Sequence, residues 1–347
     1  MTPPGDHPRC PNEVADIPGQ QTLYPLRFDP IYQYRLWGGR RLAGLLTAPL
    51  PGDGPIGEAW VLSDREDRPS RVANGPLKGR TIGQLMGDFP EQLMGELVHR
   101  FRRFPLLLKF LDVHEMLSVQ VHPSDERTDL LPQGETGKTE AWVVLEAGPA
   151  SRIYAGLKPG TTASNLRHSL SNGTLPDHLA GIIPQIGDAV FIPAGTVHSL
   201  GGDVMVFEIQ ENSDVTFRLY DWGHVDPKTG KFRPLQVEQA MASVCFGTCA
   251  VGLVSPVVQA TTPVEREQLF DNEHFRLWRL RGQSSFSLGS PGTPAVLVCV
   301  EGAGHLEHDG IAYEVGRGEV WLLPAALGIC KFRPTAPVNL FEIAIPK

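Results

Sequence analysis

Four side chains have the types and spacing to hold a metal ion: Gln120, His122, Glu140 and His198. Gln120 and His122 lie in the run Leu117-Ser118-Val119-Gln120-Val121-His122. A strand alternates its faces, so Ser118, Gln120 and His122 look one way and Leu117, Val119 and Val121 the other. Glu140 follows Gly137-Lys138-Thr139 and heads an apolar run, Ala141-Trp142-Val143-Val144-Leu145. His198 ends the stretch Gly187-Asp188-Ala189-Val190-Phe191-Ile192-Pro193-Ala194-Gly195-Thr196-Val197-His198. Brought to one point inside a barrel, these residues offer two imidazoles, a carboxylate and a neutral amide oxygen. That set suits Zn²⁺ with one position open to water or a substrate oxygen, and iron or manganese would also bind it. Either histidine alone is more often a hydrogen-bonded structural residue. Four donors in one strand-compatible frame make the metal the better reading.

The elements that must carry these residues are mostly short strands. The 347 residues include 37 Gly and 31 Pro, a composition that favours strands and tight turns over long helices. Leu23 to Asp64 is turn-rich, with Trp37 and Trp60 as expected core aromatics and Glu58, although it could reach a site, expected at a turn or surface. Thr81 to Arg103 changes to helical spacing, with Thr81 as N-cap and Pro90 dividing two helices. Pro105 to Asp112 reads as a buried strand with a single lysine, Lys109. Two readings of Lys109 stay open: it snorkels to a strand end, or it meets an anionic substrate. Ser118, on the face of Gln120 and His122, is the other candidate substrate contact. Pro123 to Lys138 is a polar loop without the G-x4-G-K-[ST] frame of a phosphate-cradling loop. Thr161 to Ala180 is helical, three strands follow between Ile186 and Tyr220, and a short helix lies near Val237 to Ala242. From about Ala260 a fresh series of short strands begins, as in a sandwich or barrel.

Composition also excludes partners. A net charge of −8 argues against nucleic acid and anionic membranes. Five cysteines (Cys10, Cys245, Cys249, Cys299 and Cys330) lack paired spacing and read as thiols of a cytoplasmic protein. The first twenty residues read as a loose tail, and no run is long enough to span a bilayer. No G-x-S-x-G elbow, nucleophilic cysteine context or strand–G-x-G-x-x-G–helix unit is present.

One frame occurs twice. Gly187-x5-Pro193-x-Gly195-x2-His198 matches Gly318-x5-Pro324-x-Ala326-x2-Ile329. The last position, read as inward-pointing, is histidine in the first copy and isoleucine in the second. This predicts a mainly β protein of two similar barrels with one metal site. The expected units are residues 21–259, with helical inserts near 81–103 and 161–180, and a metal-free unit at 260–347.

The first copy of the frame resembles the second conserved motif of the cupin superfamily of jelly-roll barrels, although Gly202 stands where asparagine is common. In place of the usual H-x-H the chain has Gln120-Val121-His122. With Gly137-Lys138-Thr139-Glu140-Ala141-Trp142, Ile192-Pro193-Ala194-Gly195-Thr196-Val197-His198 and Glu208 to Trp222, it resembles the type I phosphomannose isomerases, in their short bacterial branch. Weaker echoes at Trp37-Gly38-Gly39 and Ile56-Gly57-Glu58-Ala59-Trp60 extend the resemblance over residues 23–245. Where that branch often has arginine after Asp-Trp-Gly, His224 stands here and takes no role.

The resemblance implies Gln120, His122, Glu140 and His198 as ligands of one Zn²⁺ and Arg218 as the active-site arginine. Lys138, beside Glu140, would bind phosphate or position the sugar. The implied reaction interconverts mannose 6-phosphate and fructose 6-phosphate through a cis-enediolate, in the cytoplasm, by a monomer or weak homo-oligomer. The plain alternative for Arg218 is a salt bridge with Asp214 or Asp221. Two other functions remain in view: an Fe(II) cupin oxygenase and a non-catalytic sugar-phosphate sensor. His114, His168, His178, His274, His305 and His308 lie outside the frame and are read as surface residues.

Overall fold

Burial along each strand follows its side-chain parity. In Leu106–Val113 (LLLKFLDV) all eight residues are buried. Leu106, Leu108 and Phe110 join one hydrophobic cluster, while Leu111 and Val113 join another on the opposite face. Lys109 has the parity of the second set. Val204–Glu211 pairs antiparallel with this strand and places Glu208 opposite Lys109. Its Met205, Phe207 and Ile209 enter the first cluster and its Val204 and Val206 the second. Glu208 and Gln210 are therefore interior positions of a barrel, not surface ones.

The computed structural model describes residues 22–247 and 251–347, so the expected tail, Cys10 and Cys249 lie outside the described residues. The protein is mainly β. A six-stranded sheet runs in the order Ala189–Ile192, Glu140–Ala147, Val204–Glu211, Leu106–Val113, Ile31–Gly39, Ile56–Leu62. Facing it is a five-stranded sheet of Leu179–Ile182, Arg152–Leu157, His198–Gly201, Val119–Val121 and Phe217–Tyr220. Together they form the first barrel, antiparallel throughout. The helices lie where the periodicity changes. Thr81 caps Ile82–Asp88 in a reciprocal capping box with Gln84, and Pro90 opens the next helix, Pro90–Met94. Ala163–Asn172 is the second insert. The expected helix does not reach Ala180, because Leu179–Ile182 joins the five-stranded sheet beside Arg152–Leu157.

The second half repeats the two-sheet plan, with seven strands against four. Its interior is apolar, built from Leu297, Trp321, Phe332 and Leu340 among others. Its seven-stranded sheet packs on the outer face of the first barrel's six-stranded sheet, where the rings of Phe207 and Phe341 lie 5.4 Å apart. Burying each such ring stabilises the joint by about 2–3 kcal/mol. The halves are also joined through hydrogen bonds. Leu26–Arg27 leaves the first half and adds a strand beside Val320–Leu323, and Arg27 Nη1 lies 2.6 Å from Glu319 Oε1.

Ile329 corrects the reading of the second frame, because it is 59% exposed. A short 3₁₀ turn at Ala325–Leu327 and a left-handed Gly328 (φ 61°) shift the parity, so Cys330 and Phe332 point inward instead. The interior position is a cysteine, and among the described residues it belongs to no group of metal-ligating side chains. Cys299 and Cys330 are buried, and burial pushes both thiols up, Cys299 to about 12 and Cys330 to about 11.

The surface assignment holds for His114 and His168, whereas His178, His274, His305 and His308 are half-buried. His274 joins the halves: its Nδ1 lies 3.4 Å from Glu211 Oε1, and Glu211 Oε2 accepts from Thr139 N at 2.6 Å. Asp125 belongs to the same group and accepts from Gly137 N at 2.7 Å. Burial, with Asp125 adding to it, pushes the Glu211 carboxyl up to about 7 from 4.5. The folded state then keeps a proton that the unfolded chain has lost between those pH values, so stability falls as pH rises across that window and is level above it. Glu211→Gln, neutral throughout, is expected to remove this fall. Relative to wild type it gains about 1–3 kcal/mol between pH 4.5 and pH 8. Urea unfolding of both proteins across that range measures the difference, and a pH-independent difference would refute it.

Candidate metal centre and substrate cleft

Three strands bring the predicted ligands together. Val119–Val121 lies between His198–Gly201 and Phe217–Tyr220, with Gln120 in register with both His198 and Arg218. Val119 and Val121 pack outward under the helices, which turns Ser118, Gln120 and His122 inward. Glu140 begins the facing strand, at the same parity as Trp142 and Val144.

The result is a closed group of donors. Atoms of His122, Glu140 and His198 lie within 4.8 Å of one another, and all three residues are at most 1% exposed. His122 Nε2 is 3.4 Å from Glu140 Oε2, and His198 Nε2 is 3.2 Å from Oε1. Each imidazole is oriented through its other nitrogen: His122 Nδ1 donates to Val215 O and His198 Nδ1 to Thr196 O, both at 2.8 Å. This leaves both Nε2 lone pairs facing Glu140, as a metal requires. Burial, then the charge of Lys138, lowers His122 to about 3, and burial also lowers His198. The rings are neutral, the ligating form.

Burial alone would raise the Glu140 pKa, but the charge of Lys138 leads the opposing causes and the carboxylate stays ionised. Lys138 Nζ is 2.9 Å from Glu140 Oε2, yet neither carboxylate oxygen has an aligned hydrogen bond. A buried carboxylate facing two Nε2 atoms fits a divalent cation. Gln120 Nε2 lies 3.2 Å from His198 Nε2, and a half-turn of the amide presents its oxygen to the same centre.

Gln120 and Lys138 separate this group from a cleft of about 380 Å³. All remaining candidates reach the cleft. Ser118 is buried at its wall. Lys109 does not snorkel: it is 4% exposed, pairs with Glu208 at 2.9 Å and donates to Gln210 Oε1 at 2.7 Å. Burial opposes its charge, but Glu208 and Glu58 win and raise its pKa, so Lys109 is a permanent cation. Arg218 is half-buried. Its Nη1 donates to Pro234 O at 2.8 Å, and its buried Nε has no hydrogen-bond partner. The alternative ion pair is not made. Asp221 is taken by Arg233, and among the described residues no carboxylate pairs with Arg218.

Glu58 was misplaced by sequence reasoning. It is 8% exposed and faces the cleft, bound by Arg35 at 2.8 and 3.0 Å and by Trp60 Nε1 at 2.7 Å. Burial raises its pKa, but Arg35 and Lys109 bring it down to about 2. Glu208, Arg35 and Arg233 also line the cleft and were missed. The signal for Glu208 lay in Val-Met-Val-Phe-Glu-Ile-Gln, where Glu208 and Gln210 share one parity. His224 stays outside the cleft lining, with Nε2 3.4 Å from Glu115.

Comparisons with known proteins give the family of the chain. The family model "Phosphomannose isomerase type I, catalytic domain" matches residues 26–139. The chain is 32% identical over 310 residues to the probable mannose-6-phosphate isomerase GmuF of Bacillus subtilis, covering 88% of this chain and 95% of that protein. The chain belongs to the type I phosphomannose isomerase family. Mannose-6-phosphate isomerase ManA of Bacillus subtilis is also 32% identical, over 318 residues, with the same coverage. The crystal structure of the mannose 6-phosphate isomerase from Bacillus subtilis superposes with a TM-score of 0.85 at 27% identity, covering 92% of this chain and 99% of that one. Thus the relationship covers both barrels, well beyond the segment matched by the family model.

Proposed function

We propose that this protein interconverts mannose 6-phosphate and fructose 6-phosphate, an aldose–ketose isomerisation through a cis-enediolate, with Gln120, His122, Glu140 and His198 holding Zn²⁺. The observation that carries the reading is Arg218, a guanidinium with no carboxylate partner among the described residues, cross-strand from Gln120 and facing the cleft. The reaction removes a proton from C2 and returns it to C1, and negative charge develops on the sugar oxygens in between. A bound divalent ion supplies Lewis acidity towards those oxygens.

The rest is the work of the chain itself. Arg218 meets the developing charge with a donor already in place, so little reorganisation is needed at the moment of reaction. Lys138, fixed beside Glu140, orients a sugar hydroxyl at the mouth of the ligand group. Lys109 stays protonated in its pair with Glu208, so it orients substrate and does not abstract protons. Ser118 offers a hydroxyl on the same wall. Among the described residues no helix is long and apolar enough to cross a membrane, and the buried thiols Cys299 and Cys330 suit the reducing cytoplasm.

The test is a coupled assay that traps fructose 6-phosphate from mannose 6-phosphate, run with elemental analysis of the same sample. Turnover with zinc as the principal metal is expected. A metal-loaded protein that binds the sugar phosphate without turning it over would sink the isomerase reading.

A further inference from the structure

The cations of the cleft differ in what they have left to give. Lys109 is matched by Glu208, and Lys138 by Glu140. Arg35 spends Nε and Nη2 on Glu58 and Nη1 on the carbonyl of Tyr34. Arg233 is different. Asp221 grips only one edge of its guanidinium, through Nε at 2.8 Å and through Nη2, and Nη1 makes no hydrogen bond among the described residues. The group is therefore rigidly aimed with an open edge, and it lines the cleft at 20% exposure.

Its place relative to Arg218 is set by backbone. Arg218 N donates to Gln236 Oε1 at 3.1 Å, Gln236 N donates to Arg218 O at 2.9 Å, and Arg218 Nη1 reaches Pro234 O. The segment entering from Arg233 thus runs along the edge strand Phe217–Tyr220, on the side away from Gln120 and the metal ligands. The guanidiniums are close enough that Arg233, after burial, is the next cause of the lowered Arg218 pKa. An anion between them would relieve that repulsion.

Resting on the isomerase reading above, the geometry points to Arg233 as the residue that binds the substrate's phosphate and makes the enzyme select phosphorylated sugars. The phosphate hangs on C6, four carbons from C2. With C1 and C2 at the ligand group and Arg218 beside them, the phosphate extends to the next guanidinium outward. A clamped arginine fork suits a phosphate dianion, and Asp221 has already fixed its orientation. Arg218 remains with the reacting carbons, and the phosphate is assigned to neither Arg218 nor Lys138.

The experiment uses metal-loaded full-length protein, wild type against Arg233→Met and Arg233→Lys, with Arg333→Met on the exposed face of the second barrel as the control. Four quantities are read: kcat and KM for mannose 6-phosphate, kcat/KM for unphosphorylated mannose, and the competitive inhibition constant of inorganic phosphate. For Arg233→Met we expect KM and the phosphate constant to rise together by about 10- to 100-fold, the size of a charge-assisted hydrogen bond. Turnover number, metal content and activity on free mannose should stay within a few-fold. Arg233→Lys should fall between, and it carries the test if Arg233→Met does not fold. An unchanged phosphate constant in a folded variant overturns the assignment. So does an equal loss on both sugars, which would make Arg233 a prop for Arg218. Absence of isomerisation by wild type would instead overturn the underlying function.

Discussion

His198→Ala is expected to lose the metal and, with it, nearly all turnover. His198 is fully buried, its Nε2 faces Glu140 at 3.2 Å, and its Nδ1 is committed to Thr196. Alanine leaves Gln120, His122 and Glu140, too few donors to hold zinc against dilution in a site built for four. Lewis-acid stabilisation amounts to several kcal/mol, so turnover should fall by about 10³-fold or more. Elemental analysis should read about one ion per chain in wild type and far less in the variant. Because the substitution also opens a small cavity, thermal unfolding of the metal-stripped proteins must accompany it. Similar apo stabilities with divergent metal content place the loss at the ligand. Full metal content in His198→Ala would overturn the site, and attention would pass to Asp125, Glu211 and His274, the other grouping of donor atoms among the described residues.

The convergence of Gln120, His122, Glu140 and His198 was legible because strands advertise themselves by parity. Gln120 and His122 two residues apart, with valines between and beside them, already fixed a shared face, and the valines do pack outward. Glu58 was not legible for the converse reason. Its neighbours Gly57, Ala59 and Trp60 read as a turn-rich stretch, and only pairing with Leu106–Val113 makes Ile56–Leu62 a fully buried strand whose glutamate faces inward. Ile329 failed on parity. Both frames turn after their proline, but the first has its left-handed glycine at Gly195 and the second at Gly328, two positions later in the frame, and spacing alone does not reveal that difference. Arg233 was hidden differently. It follows the polar hairpin of Val225–Asp226 and Lys231–Phe232, with nothing periodic to announce it, and only the return of the chain alongside Arg218 brings it to the cleft.

Arg218→Ala is expected to lower kcat by about 10²–10³, the usual loss when a donor aimed at transition-state charge is removed. KM and metal content should change little. The reason is the state of Arg218 in the free protein: among the described residues its buried Nε has no partner and no carboxylate pairs with it. A buried unmatched donor is unfavourable in the resting site and is satisfied when negative charge appears beside it. Interactions made only in the transition state act on kcat, whereas those made equally in the bound substrate act on KM. Arg218→Lys keeps the charge but loses the fork that holds Pro234 O, so it too should lose turnover, by less than alanine. Kinetics over a range of mannose 6-phosphate separate the parameters. If KM alone rose in Arg218→Ala while kcat held, Arg218 would be the phosphate anchor, and the charge on the enediolate would fall to the metal and Lys138.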